Sequence, residues 1–250
     1  MSPSERSAAE RFVILNRFLG FGNPRASIWF IGLEEASRWC RDPSKSEANY
    51  ERYEKRYFPF RPGEITDEAK RAGRTRTRVY DIMSKLVVAL TSGGQPSRTT
   101  WREYRDSSLL QEDGQTFQGN LYPLGKDHLP IWPEYYHELF GLKSREAYMA
   151  EVENKRFPYL REKHRQYAPQ LTVCFGKAGW KDFKKLFALG TDYEPAEQAC
   201  IYPRGIVLCP FFGRMSDDYI VRLANSIREA VGLAFDDSAA EKIGSDTATR

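Results

Sequence analysis

Glu34 and Glu35 are the first residues in the chain whose type and setting invite chemistry. They follow Gly32-Leu33 at the exit of Ile28-Trp29-Phe30-Ile31, a short unbroken apolar run with Pro24 before it and Gly32 after it. Such a run reads as a strand buried on both faces. Open α/β sheets bind their ligands beyond the carboxyl ends of central strands, which is where these two acids fall. The same pair would also suit the opening of a helix, where negative charge meets the positive end of the macrodipole.

Other candidates lie further along. Asn120, in Gly119-Asn120-Leu121-Tyr122-Pro123, offers both a donor and an acceptor, although an Asn after a strand is also an ordinary turn residue. Lys70 to Arg78 is the densest positive run; with its interleaved hydroxyls, Arg74, Arg76 and Arg78 form a strip suited to phosphate oxygens, or else a solvated face. The loop Pro210-Phe211-Phe212-Gly213-Arg214-Met215 sets two aromatics beside a cation. The cysteines at 40, 174, 200 and 209 form no Cys-x-x-Cys pair and the three histidines lack ligand spacing, so buried thiols are expected and no metal.

The elements that must position these residues alternate. Ser4 to Phe18 has helical spacing at Phe12, Leu15, Phe18 and Leu19, with Ser4 as a cap. Arg38 to Arg78 reads as a helix and then an irregular aromatic excursion carrying Tyr50, Tyr53, Tyr57, Phe58 and Phe60. Val79 to Leu90 predicts a helix that Thr91-Ser92-Gly93-Gly94 stops. A second strand falls within Gly114 to Tyr122, a third over Leu171 to Phe175 and a fourth over Ile206 to Cys209. Between the second and third, Ser144 to Tyr167 holds one or two charged helices, broken or bent at Pro158. Lys177 to Phe187 forms a helix, and Ser216 caps a last one through Val231. Strands alternating with helices predict a three-layer α/β/α sandwich on a central, mainly parallel four-stranded sheet. One domain over residues 1–235 is expected, with a polar, disordered tail over 236–250.

At 250 residues, with 41% hydrophobic and 29% charged residues, the chain has the composition of a folded globular protein. It holds no apolar run of membrane-spanning length and no basic-then-apolar leader, so a cytoplasmic protein without a membrane partner is expected. The net charge of +4 is compatible with a polyanionic partner.

Four segments, in order, resemble the uracil-DNA glycosylase superfamily: Ile31-Gly32-Leu33-Glu34-Glu35, Gly119 to Pro123, Val173-Cys174-Phe175-Gly176-Lys177-Ala178, and Leu208 to Arg214. The resemblance spans about residues 27 to 231 and implies that fold and cleavage of an N-glycosidic bond in DNA, with no cofactor and a monomeric state. It puts the catalytic carboxylate at Glu34, with Glu35 one residue away, and base reading at Asn120. Gly32, Leu33, Ala36, Phe58 and Arg214 would surround the base, while Lys177, Phe211, Phe212 and Arg214 would join the basic strip on DNA. An enzyme of this kind must extrude its base from the duplex, and a carboxylate beneath the sugar then steadies the cation.

Two departures narrow the expectation. The last motif lacks the family's usual His, leaving Arg214 as the nearby positive charge, with Phe211 or Phe212 as a wedge. Ala36 stands where uracil-specific relatives carry a Tyr that excludes bases with a 5-substituent, so the wall is open. The chain therefore reads as a DNA glycosylase for a modified or damaged pyrimidine, uracil or a 5-substituted cytosine, with phage DNA as one setting. A catalytically inactive nucleic-acid-binding protein of the same fold is the alternative. An enzyme for a free phosphorylated small molecule is disfavoured by the absence of Gly-x-Gly-x-x-Gly and Walker sequences.

Overall fold

The computed structural model describes residues 6–34, 43–71, 78–125, 132–190 and 199–232. The chain opens with helix α1 (Ala8–Arg17) and strands β1 (Gly20–Gly22) and β2 (Ile28–Glu34). Helix α2 (Pro43–Glu54), strand β3 (Tyr57–Phe58) and helices α3 (Glu64–Arg71), α4 (Arg78–Ser92) and α5 (Arg98–Ser107) lead to strand β4 (Thr116–Tyr122). Helices α6 (Tyr135–Phe140) and α7 (Arg145–Tyr167) precede strand β5 (Leu171–Phe175), a 3-10 turn at Lys177–Gly179 and helix α8 (Trp180–Phe187). Strands β6 (Cys200–Tyr202) and β7 (Ile206–Cys209), a second 3-10 turn at Phe212–Arg214 and helix α9 (Asp217–Val231) complete it.

The sheet has seven strands in the order β3-β1-β4-β2-β5-β7-β6, not the four expected. The four inner strands are the four that the apolar runs predicted, and they run parallel. The additions are short edge pieces: β1 runs antiparallel to β4, β3 parallel to β1, and β6 antiparallel to β7. Strands this short have no period to read; pairing with an existing sheet edge creates them.

Both faces of the sheet are covered, as the buried inner strands require. On one face Trp29, Ile31, Phe117, Leu121 and Cys174 pack with side chains of α1, α2, α6, α7 and α8. On the other, Ile28, Phe30, Val173, Phe175 and Cys209 pack with α4, α5 and α9. Among the described residues, no helix is long and apolar enough to cross a membrane.

One helix expectation needs correction. The cap of α1 is Ser7, not Ser4: Ser7 Oγ accepts from Glu10 N while the Glu10 carboxylate accepts from Ser7 N, a reciprocal capping box. Of the one or two helices expected over Ser144 to Tyr167 the structure has one, α7, which runs through Pro158 without a break. Pro158 and Asn154, whose carbonyl loses its donor there, are both exposed, so water can take the place of the missing N–H. Three of the cysteines, Cys174, Cys200 and Cys209, are buried free thiols, and burial pushes each thiol above its ordinary value. Cys40 and the predicted tail from 236 lie outside the described residues.

Candidate functional site

The four parallel strands end along one edge of the sheet, where Gly32, Asn120 and Phe175 stand side by side. Gly32 pairs with Asn120 across β4 and with Phe175 across β5. Its bare Cα leaves a notch that both neighbours fill. A Cβ there would lie 2.6 Å from Asn120 Oδ1 and 2.9 Å from Phe175 Cζ. The carboxamide of Asn120 is thereby laid over the strand that carries Glu34, and Asn120 is only half-buried. Glu34 comes two residues after Gly32, about 7 Å further along at the usual rise of a parallel strand.

Glu34 closes β2 opposite Tyr122. Its Oε1 is shielded from solvent, and its charge adds to the burial that pushes the phenol of Tyr148 well above its ordinary range. The Tyr148 hydroxyl accepts from Leu124 N at 2.9 Å, which fixes the chain just after β4. Burial also raises the Asp182 carboxyl, which neighbours the Tyr122 hydroxyl. The carboxylate end of β2 is thus within electrostatic reach of the buried Tyr148 phenol.

Loops beyond β5 and β7 are tied to each other. The carbonyl of Cys209 accepts from Gly176 N at 3.0 Å and from Trp180 Nε1 at 3.2 Å. Gly176 has φ +114, a conformation that favours glycine, and it turns the chain into the Lys177–Gly179 turn. Leu33 is committed to that turn: its Cδ1 occupies the space a Cβ on Gly179 would need, 2.5 Å away. It packs there rather than lining a ligand space beside Asn120. Lys177 is exposed, with its Nζ 5.7 Å from the Trp180 ring centroid.

The two phenylalanines of the last loop separate cleanly. Phe212 is wholly buried, stacked on Phe175 with centroids 4.3 Å apart, and set edge-on to Phe30. It is core, so the expectation that it touches DNA is corrected. Phe211 is 50% exposed, and its ring covers the Cα of Gly213, which makes it the one aromatic of the pair available to a partner.

Phe58 is also corrected. It lies on β3, three strands from β2 and so about 14 Å from Gly32 at normal strand spacing. The Arg52 guanidinium sits 3.8 Å over its ring. Arg78 is exposed at the first position of α4. Glu35, Ala36, Arg74 and Arg76 lie outside the described residues, and Arg214 is described only by its backbone in the Phe212–Arg214 turn.

A residue that sequence reading passed over holds the site from behind. Arg156 is 1% exposed and makes six hydrogen bonds to main-chain carbonyls: those of Leu15, Asn16, Phe18, Asn120 and Leu121. Its signal was present in the sequence as the Arg in the i, i+4 series Tyr148, Val152, Arg156, Leu160, whose other members are apolar and buried.

The chain matches no protein-family model and no curated protein.

Elsewhere, His164 of α7 sets its Nε2 2.8 Å from the Oγ1 of Thr172, the second residue of β5 and about 10 Å back along the strand from Phe175. Burial against Trp29 and Phe187 lowers its pKa to about 4. A separate cleft of about 760 Å³ opens at the opposite, N-terminal edge of β5 and β7, lined by residues including Gln170, Tyr202, Arg204 and Val231. None of the residues anticipated from sequence borders it.

Proposed function

We propose that this protein is a DNA glycosylase that hydrolyses the N-glycosidic bond of a flipped-out modified or damaged pyrimidine. The observation that carries the reading is the notch at Gly32, which brings the Asn120 carboxamide beside the strand that ends in Glu34. An amide presents a donor and an acceptor together, the pattern that a pyrimidine edge requires. A carboxylate about 7 Å along the same strand suits the sugar of that nucleotide, where positive charge develops as the bond breaks. The exposed ring of Phe211 and the ammonium of Lys177, both on loops at this edge, supply a wedge and a phosphate contact.

A second reading, nucleic-acid binding without catalysis, draws on one feature. The segment Leu208 to Arg214 carries no His to stabilise a departing base. The test is incubation of the full chain with single- and double-stranded DNA carrying uracil, a thymine mismatch or a 5-substituted cytosine, followed by alkali. Strand breaks at the placed base support the glycosylase. Binding without breaks on every substrate rejects it in favour of the second reading.

A further inference from the structure

We infer that Arg156 is the positioning residue for Asn120, an inference that rests on the assignment of Asn120 to base reading. A guanidinium taken wholly out of water needs either a carboxylate or a full set of acceptors. Here the acceptors are carbonyls. Nη1 donates to Leu15, Asn16 and Phe18 at 3.2, 2.9 and 2.7 Å. Leu15 and Asn16 belong to the last turn of α1, whose carbonyls have no helical partner and carry the negative end of the helix dipole. The charge of Arg156 is therefore matched by a helix terminus. Burial lowers its pKa only to about 10, so it stays charged at neutral pH.

The other side of the same planar group is turned on β4. Nη2 donates to Asn120 O at 2.7 Å, and Nε is shared between Asn120 O at 3.1 Å and Leu121 O at 3.0 Å. This is where β4 loses a strand neighbour: β1 pairs with Phe117 and Gln118 and reaches no further. Arg156 takes over that open edge and holds the main chain of Asn120 from one side. Gly32 receives its side chain on the other. A fork with donors in fixed directions can bridge a helix end and a strand at once, which a single ammonium cannot. Arg156 touches no substrate; it sets the angle at which the Asn120 carboxamide is presented.

The experiment uses the full chain with Arg156→Lys, Arg156→Gln, Asn120→Ala and the Arg156→Lys/Asn120→Ala pair. Positioning predicts that Arg156→Lys lowers kcat about 100-fold with KM nearly unchanged, the scale expected for a reacting group displaced by about 1 Å. It also predicts that the paired variant is no slower than Asn120→Ala alone, because both changes remove one interaction. The NMR resonances of the Asn120 side-chain amide should move in Arg156→Lys while backbone amides of β5 and β7 keep their positions. Multiplying losses in the pair, or an unmoved Asn120 amide, overturns the inference. If neither Arg156→Lys nor Arg156→Gln folds, the residue is a stability element and the positioning role is rejected. If the unaltered protein excises no base, the glycosylase reading fails by itself, and the Asn120 resonance still decides on Arg156.

Discussion

The ring of Phe212 lies flat against that of Phe175, with planes 11° apart, and so joins the loop after β7 to the last residue of β5. Its neighbour Phe211 lies outside the core and half open to solvent. Removing a buried Phe side chain costs about 3–5 kcal/mol, through lost transfer energy and the cavity left behind. Phe212→Ala should lower the thermal midpoint by many degrees, whereas Phe211→Ala should leave it nearly unchanged and weaken excision from duplex DNA more than from single strands. Calorimetry and paired excision assays check this. A stable Phe212→Ala protein would remove the basis for separating the two residues.

Gly32→Ala tests the notch. The added methyl would meet Asn120 Oδ1 and Phe175 Cζ at 2.6 and 2.9 Å, so the carboxamide or the ring must shift. Overpacking of this kind costs about 1–3 kcal/mol, which a chain of this size should survive. The expected result is a folded protein with excision reduced far more than stability, measured by urea unfolding and by alkali-labile breaks in parallel. Retained activity would show that the Asn120 amide is not used in the geometry observed.

Glu34→Gln should abolish most excision while DNA affinity stays close to that of the unaltered chain, since affinity rests chiefly on phosphate contacts. Gel-shift titration beside single-turnover kinetics gives the two numbers. Loss in Glu35→Gln instead would move the carboxylate role by one residue, and activity in both variants would end it.

His164 makes stability depend on pH in a defined direction. Its folded pKa, about 4, lies below the ordinary value of 6.5, so the unfolded chain binds the extra proton first as pH falls. Its contribution is therefore complete above pH 6.5 and is lost between about pH 6.5 and pH 4. In His164→Gln the fall in thermal midpoint over that window should be shallower than in the unaltered protein. Parallel slopes would mean that carboxylates alone govern the acid limb.

Ala36→Tyr addresses base size. A bulky side chain there would clash with a 5-substituent, so excision of 5-substituted cytosine should fall while excision of uracil is maintained. Rates on the two bases in otherwise identical DNA decide it, and unchanged selectivity would remove Ala36 from the pocket.

Much of the fold was legible because apolar runs such as Leu171 to Phe175 can satisfy their side chains only inside a covered sheet. Caps such as Ser216, whose Oγ accepts from Tyr219 N, declare helix starts through local hydrogen bonding. Gly20–Gly22 and Tyr57–Phe58 were not legible as strands: nothing in three or two residues distinguishes a strand from a turn until a neighbour's edge is in place. The site was read in part for the same reason. Asn120 and Glu34 announced themselves by residue type at strand ends, whereas Arg156 draws its meaning from carbonyls that only the folded chain brings within reach. Nor could sequence separate Phe211 from Phe212, which differ in environment and not in kind.

The pairing of Gly32 with both Asn120 and Phe175 has a kinetic consequence. These residues come from the first fifth, the middle and the last third of the chain, so closing the notch requires loops of long sequence separation. Contacts of that kind form late and slowly, after the entropy of loop closure has been overcome. A ribosome-bound chain lacking β5 would hold half a notch, Gly32 beside Asn120 without Phe175. The notch is whole only once β5 has joined the sheet.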